Sequence, residues 1–305
     1  MNGKKKLYNF RGILLFIAIL FFMFSITDII KVKDKINLDN KVYAGQFSTQ
    51  KMPFYDLMPQ DLVLRAEFYT SYPASSNERK SNIILATKTL NNTFVDVGAE
   101  FSFNLTVGER SEKRGYKVAN IIQNGKFVQG VGGGVCQVSS TLYNAVLLSG
   151  LKILEYHPHS LAVSYVAPSF DAMVSSVSDL KFLNNTKNPI IIKATANQSV
   201  VKISIYGQPM VEKYLRESVV KEIIFPNKEE IVLDYDKKYP QLKDGEQLLI
   251  QPAKNGLKSQ AKLIKTINGK VVSSKIIRND KYNPISAIIV QGVFTSDEIK
   301  ENIKN

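Results

Sequence analysis

The sequence predicts an α+β chain in three parts. These are an N-terminal transmembrane helix, a mixed α+β domain with a glycine loop that enters a helix at a cysteine, and an elongated all-β module. Three observations carry this reading. Gly12 to Thr27 is a charge-free run behind Lys4, Lys5, Lys6 and Arg11. Between residues 74 and 210, apolar residues at helical spacing alternate with short strand-like runs. Beyond Val211 only strand-like runs punctuated by glycines remain.

The 305 residues are 44% hydrophobic and 22% charged, enough to bury a core. A single cysteine excludes an internal disulfide framework and every multi-cysteine metal or iron–sulfur site, and two histidines exclude three-histidine metal centres. No cofactor is expected. The formal net charge is +13, but residues 1–35 hold seven Lys/Arg against two Asp, so over a third of the excess sits at one end. The remainder is spread thinly, with no basic block interleaved with aromatics, and nucleic acid is not an expected partner. A mildly basic surface suits a polyanionic envelope, or is simply a solvated lysine face.

The sixteen residues Gly12–Thr27 would span about 24 Å as a helix, somewhat short of the roughly 30 Å hydrocarbon core. They read as a short signal-anchor helix or a long signal-peptide core. No good small-x-small site follows closely, and the undiluted positive charges lie in front. The expected arrangement is therefore a cytoplasmic N-terminus and anchor over 1–30, with the rest extracytoplasmic. Residues 31–73, with Pro53, Pro59 and Pro73, read as a stalk containing one strand within Asp61–Thr70. The turn-rich stretch from Ser71 to Glu78 marks the boundary.

The domain at 74–210 opens with a helix at Asn77–Asn91. Strand material follows over Phe94–Phe103, and a hairpin around Asn124-Gly125. Next comes Gly130-Val-Gly-Gly-Gly-Val-Cys136-Gln-Val-Ser-Ser-Thr-Leu-Tyr-Asn-Ala145. Val138, Leu142, Ala145 and Val146 share a helical face, and Gly150 stands where a glycine C-cap belongs. Cys136 thus opens a helix. Unpaired N–H groups and the positive dipole end there favour a thiolate. Gly132, Gly133 and Gly134 could bring amides to a substrate oxyanion, or hold an anion. The same residues also suit a buried cysteine acting as a small hydrophobe beside closely packed glycines.

Lys152 to Tyr165 reads as a strand carrying His157 and His159, and Asp171 follows. A cysteine, then a histidine, then an acid is the chain order of papain-like and transglutaminase-like thiol enzymes. Cys136 would be nucleophile and His159 base, with Asp171 or Glu155 orienting the imidazole.

The run Gly132–Ala145 closely resembles the signature of VanW-like proteins of Gram-positive bacteria. The resemblance continues through Phe101–Asn104, Val107-Gly-x-Arg110, Arg114–Tyr116, Glu155, His159–Leu161, Tyr165-Val166, Asp171-Ala172 and Leu180-x-Phe-x-Asn184. It departs at Ser169-Phe170, where the family usually has a glycine and then Arg or Leu. The resemblance implies a Gram-positive envelope protein and supplies no established reaction, so His159 is preferred to His157 only because the family motif runs through His159–Leu161.

In the module at 211–305, strands are expected at Lys221–Phe225, Glu230–Leu233, Gln247–Gln251, Gln260–Ile267, Lys270–Ile277 and Ile285–Gln291. Asp244-Gly-Glu246, Asn255-Gly256, Asn268–Val271 and Pro284-x-x-x-Ile-x-Val-x-Gly292 resemble the five-glycine (G5) domain, with Ala253 where a further glycine is usual. That resemblance implies an all-β wall-polysaccharide binder or spacer. Two functions follow for the whole chain. One is a membrane-anchored thiol hydrolase or transferase acting on peptidoglycan or a related envelope amide. The other is a non-catalytic wall-binding scaffold whose loop holds a carboxylate or sugar.

Overall fold

Strands and helices in the computed structural model follow the local signals closely, and what they build is an antiparallel sheet with two helices packed on it. Residues 49–51, 62–123 and 125–294 are described. The sheet has the order β1-β3-β9-β10-β2, with every pair antiparallel. Its strands are β1 (Thr49–Lys51), β2 (Val63–Ser71), β3 (Thr93–Val95), β9 (Ile190–Ala196) and β10 (Val200–Gly207). Between β2 and β3 runs α1 (Asn77–Leu90), whose N-cap Ser76 accepts from the Arg79 N–H.

Further along come β4 (Glu100–Ser102), α2 (Phe103–Val107), and β5 (Val118–Gln123) paired with β6 (Lys126–Val131). Then follow α3 (Val135–Leu148), β7 (Lys152–Glu155) and β8 (Lys181–Leu183), with β8 lying between β4 and β7. One core joins these layers. Ile83, Ala86 and Leu90 of α1 and Val138, Leu142 and Val146 of α3 are buried together with Ile190, Ile192, Val201, Ile203 and Ile205 of the sheet.

Residues 63–71 depart from the expected stalk. They form β2, which pairs along its length with β10, and Thr70 on β2 bonds Thr141 of α3 at 2.8 Å. The folded domain therefore starts before Val63. The remaining stalk residues, 31–48 and 52–61, and the apolar run Gly12–Thr27 lie outside the described residues. Among the described residues no helix is long and apolar enough to cross a membrane.

The C-terminal module contains two three-stranded sheets. In the first, β14 (Gly256–Ile267) lies between β11 (Glu212–Ile224) and β15 (Lys270–Tyr282), all antiparallel. Asn268 and Gly269, at φ 49° and 77°, make the β14–β15 hairpin a primed turn, as the Asn-Gly pair predicts. In the second, β16 (Ile288–Gln291) lies between β12 (Glu230–Leu233), to which it is parallel, and β13 (Gln247–Gln251). The outer strand β15 is largely exposed, whereas the central β14 is mostly covered. Of the thirteen residues of β15 only Arg278 and Tyr282 are buried, and both lie towards the end that meets the first domain. The described residues belong to one compact unit.

The joint between the two combines apolar contacts, with Ala261, Leu263 and Ile277 packed against the first domain's core, and a set of polar groups. Arg216 of β11 donates to the Asn144 side chain of α3 and lies over the rings of Phe68 and Phe170, 4.3 and 4.7 Å from their centroids. Ser218 donates to Pro168 O at 2.7 Å, and the Asn283 N–H to Ser160 O at 2.8 Å. Gly150, at φ 71°, ends α3 and also leaves room for Tyr214, since a Cβ there would come within 2.6 Å of the ring.

Candidate active site

The glycines ahead of Cys136 are required by the backbone. Gly132 and Gly134 have φ of 86° and 107°, where side chains are disfavoured. Gly133 is conformationally ordinary, but a Cβ on it would lie 2.7 Å from Asn120 O on β5. Of the three proposed oxyanion donors, the Gly132 N–H is already committed to Lys117 O at 3.0 Å. The N–H groups of Gly133, Gly134 and Cys136 have no acceptor among the described residues, as expected where a helix begins. Any anion at this loop therefore meets the last two glycines and Cys136, not Gly132.

Cys136 sits in the first turn of α3, half-buried, and its Sγ donates to Val174 O at 3.4 Å. The strand expected through Tyr165 stops at Glu155. Pro158 has no N–H to give a ladder, and residues 156–180 form an irregular segment between β7 and β8. This separates the two histidines. His157, 39% exposed, pairs its Nε2 with Glu155 Oε1 at 2.9 Å. His159 is 5% exposed, and its Nδ1 bonds Asp171 Oδ2 at 2.7 Å. The His159 backbone N–H donates to the same oxygen, also at 2.7 Å. With Nδ1 committed, Nε2 is the nitrogen free to serve the thiol.

The electrostatics follow from these contacts. Burial pushes the Cys136 thiol up, but the His159 imidazole, followed by the Val174 backbone contact and the Arg110 charge, outweighs it, and the net shift is downward. Burial likewise works against the His159 cation, yet Asp171 and Cys136 raise its pKa to about 9. Burial favours the neutral form of Asp171, while His159 and the Tyr282 hydroxyl hold it below its ordinary value. Tyr165 meets the His159 ring edge-on at 6.5 Å, and burial followed by the nearby Cys136 pushes its phenol well above the usual range.

Glu155, the alternative orienting acid, is not part of this arrangement. Its carboxylate accepts from His157 and the Asp179 N–H and pairs with Lys181 at 2.6 Å. Burial opposes these donors but loses, and the group is held at about 2. It serves the β7–β8 edge while Asp171 serves the imidazole.

The residues that position Asp171 come largely from places the sequence pattern left unassigned. On α3, Ser139 Oγ donates to Ala172 O at 2.6 Å and Ser140 Oγ accepts from the Ala172 N–H at 2.9 Å. Asn144 Nδ2 donates to Phe170 O at 2.8 Å. The polar face of the signature helix is therefore buried, and it grips the loop that carries the acid. Ser169, where the family usually has glycine, takes a left-handed φ of 65°. Its Oγ pairs with Ser259 at 2.6 Å, and its N–H donates to the Tyr282 hydroxyl at 2.7 Å. Among the described residues no group of three or more His, Cys, Asp or Glu side chains is placed to hold a metal.

Comparisons with known proteins agree with the two-part architecture. Residues 78–206 match the family described as VanW like protein, and residues 216–293 match the G5 domain. The chain is 40% identical over 152 residues to the uncharacterized protein YoaR of Bacillus subtilis (strain 168), covering 50% of each chain. It is 28% identical over 186 residues to the vancomycin B-type resistance protein VanW of Enterococcus faecalis (strain ATCC 700802 / V583), covering 58% of this chain and 65% of that one. The matched region thus spans between half and just under two thirds of these relatives. Two solved G5 domains are each 26% identical over 27% of this chain. That of HP0197 is covered to 97% with a TM-score of 0.15, and that of an IgA1 protease to 88% with a TM-score of 0.18. The chain therefore carries a VanW-like domain over residues 78–206, followed by a C-terminal G5 domain over residues 216–293.

Proposed function

We propose that this protein is a cell-wall-associated thiol hydrolase or transferase that cleaves an amide of peptidoglycan or a related envelope polymer. The observation that carries the reading is the 2.7 Å bond between Asp171 Oδ2 and His159 Nδ1, behind an imidazole that shares its charge with Cys136 at a helix start. In the reaction, the Cys136 thiolate attacks the amide carbonyl, and the oxyanion is met by the unpaired N–H groups at Gly133, Gly134 and Cys136. Imidazolium Nε2 protonates the departing amine and leaves a thioester. His159 then takes the proton of an incoming water or acceptor amine, whose attack frees Cys136. Similarity to a protein named for vancomycin resistance supports a wall substrate, as does the G5 domain.

The pH dependence has a definite sign. The thiolate is present only above the lowered pKa of Cys136, and the imidazolium acid is lost as pH rises through about 9. Turnover of peptidoglycan fragments by the full chain should therefore be bell-shaped, with its alkaline limb near pH 9. Mass spectrometry should catch an acyl adduct on Cys136. Unchanged fragments, no adduct, and retention of the full chain on insoluble peptidoglycan would together favour the non-catalytic scaffold.

We further propose that Gly12–Thr27 is an uncleaved anchor that leaves the described domains extracytoplasmic, on the strength of its uninterrupted apolar run behind four positive charges. The mature protein should then keep its N-terminal residues and fractionate with membranes. A protein released to the medium with an N-terminus near Gly45 would overturn the anchor.

A further inference from the structure

Asp171 is held from two sides. His159 supplies both donors to Oδ2, so the acid cannot fix the imidazole unless something else fixes the acid. That second grip comes from β15 of the G5 domain, more than a hundred residues further along the chain. The Tyr282 hydroxyl donates to Asp171 Oδ1 at 2.5 Å while accepting the Ser169 N–H at 2.7 Å. Arg278 Nη1 donates to the Asp171 backbone carbonyl at 2.6 Å, and its Nη2 lies 3.7 Å from Oδ1. Its Nε pairs with Asp280 at 2.9 Å, and the guanidinium lies 4.4 Å from the Tyr156 ring centroid and 5.3 Å from that of Tyr143. The two side chains thus grip the start of the 156–180 segment and the acid it carries.

Simple adhesion between domains does not account for this chemistry. Burying a guanidinium carries a desolvation cost, and apolar residues of similar volume would usually hold two surfaces together at least as well. Yet the only two buried residues of β15 are an arginine and a tyrosine whose polar atoms meet at one carboxylate residue.

We propose that Tyr282 and Arg278 are positioning residues for the thiol site, so that the reactivity of Cys136 depends on the G5 domain being docked. The proposal rests on the thiol reading given above. It makes the G5 domain part of the catalytic apparatus and more than a spacer.

Because Cys136 is the chain's one cysteine, alkylation of the full chain by iodoacetamide reports it without ambiguity. The wild type should show a midpoint below the roughly 8.5 of a free thiol. Tyr282→Phe should slow alkylation at pH 7 about tenfold, the scale of one hydrogen bond to a charged group, and move the midpoint upward. In an Asp171→Asn background the same substitution should change nothing further, because its effect passes through that carboxylate. Arg278→Lys keeps the charge and loses the fork, and should follow the same pattern. It replaces Tyr282→Phe in the cycle if circular dichroism shows that variant unfolded. Additive losses in the Asp171→Asn background would mean a merely structural role and overturn the proposal. So would a wild-type-like midpoint in Tyr282→Phe. A wild-type midpoint at or above that of a free thiol would instead sink the thiol reading itself.

Discussion

Replacing His159 with alanine should lower amide cleavage about 10²–10⁴-fold, the usual contribution of a positioned acid–base group. The imidazole is what outweighs burial at Cys136. Without it, desolvation prevails and the thiol should titrate above the roughly 8.5 of a free cysteine. Asp171, 1% exposed, also loses the partner of its Oδ2. His157→Ala gives the internal contrast. That ring is partly exposed and faces Glu155, so its loss should leave both rate and thiol titration within about twofold, inside the range of ordinary surface substitutions. Equal effects from the two substitutions would show that the separation of the histidines does not govern the chemistry.

Arg278→Met should cost about 3–5 kcal/mol of stability, the range for breaking a buried ion pair from one side. The guanidinium is fully buried between Asp171 and Asp280, which are 1% and 5% exposed. Methionine would fill much of the volume beside Tyr143 and Tyr156, so the loss would come mainly from the carboxylate left behind. Adding Asp280→Leu should recover part of it. Urea denaturation of the full chain measures both, and a single-variant loss under about 1 kcal/mol would put Asp280 in contact with solvent. Truncating the protein before β11 is a blunter experiment, because it removes the partners of Asp171 together with any surface that meets the wall.

The sequence was most informative where local chemistry decides conformation. The apolar spacing after the turn-rich boundary announced α1, and the glycines before Cys136 announced the start of α3. Asn268-Gly269 located a hairpin to the residue. The errors have a common physical origin in sequence separation. β2 looked like stalk because the strand that completes it, β10, lies about 130 residues later. The strand reading of Lys152–Tyr165 allowed Pro158 only an edge or a bulge, but the ladder ends at Glu155, before that proline. Ser139, Ser140 and Asn144 lie off the apolar face of α3, and a loop with its own backbone polar groups covers them. Neither Tyr282 nor Arg278 belongs to a recognisable pattern, since their partner is 111 and 107 residues away. Cys136 stood out as the residue that opens α3, and His159 was separated from His157 only by the resemblance to the family motif; the pairing of its Nδ1 with Asp171 is seen in the fold. Glu155 was an equally good acid on paper and differs only in where β7 ends.

The irregular segment 156–180 has a consequence for dynamics. It carries His159, Asp171 and the Val174 carbonyl that accepts from Sγ, and its own amides are secured mostly by side chains and isolated contacts, with no continuous ladder. The N–H groups of His159, Ser169, Ala172 and Met173 go to Asp171, Tyr282, Ser140 and the His157 carbonyl. Phe170 and Ala172 anchor the segment in the core, but the stretch around His159 lacks a ladder and is expected to open at a free energy below that of global unfolding. Competence of the site and integrity of the fold are therefore separate equilibria. Amide exchange at His159 reads the first, and exchange in β9 and β10 reads the second.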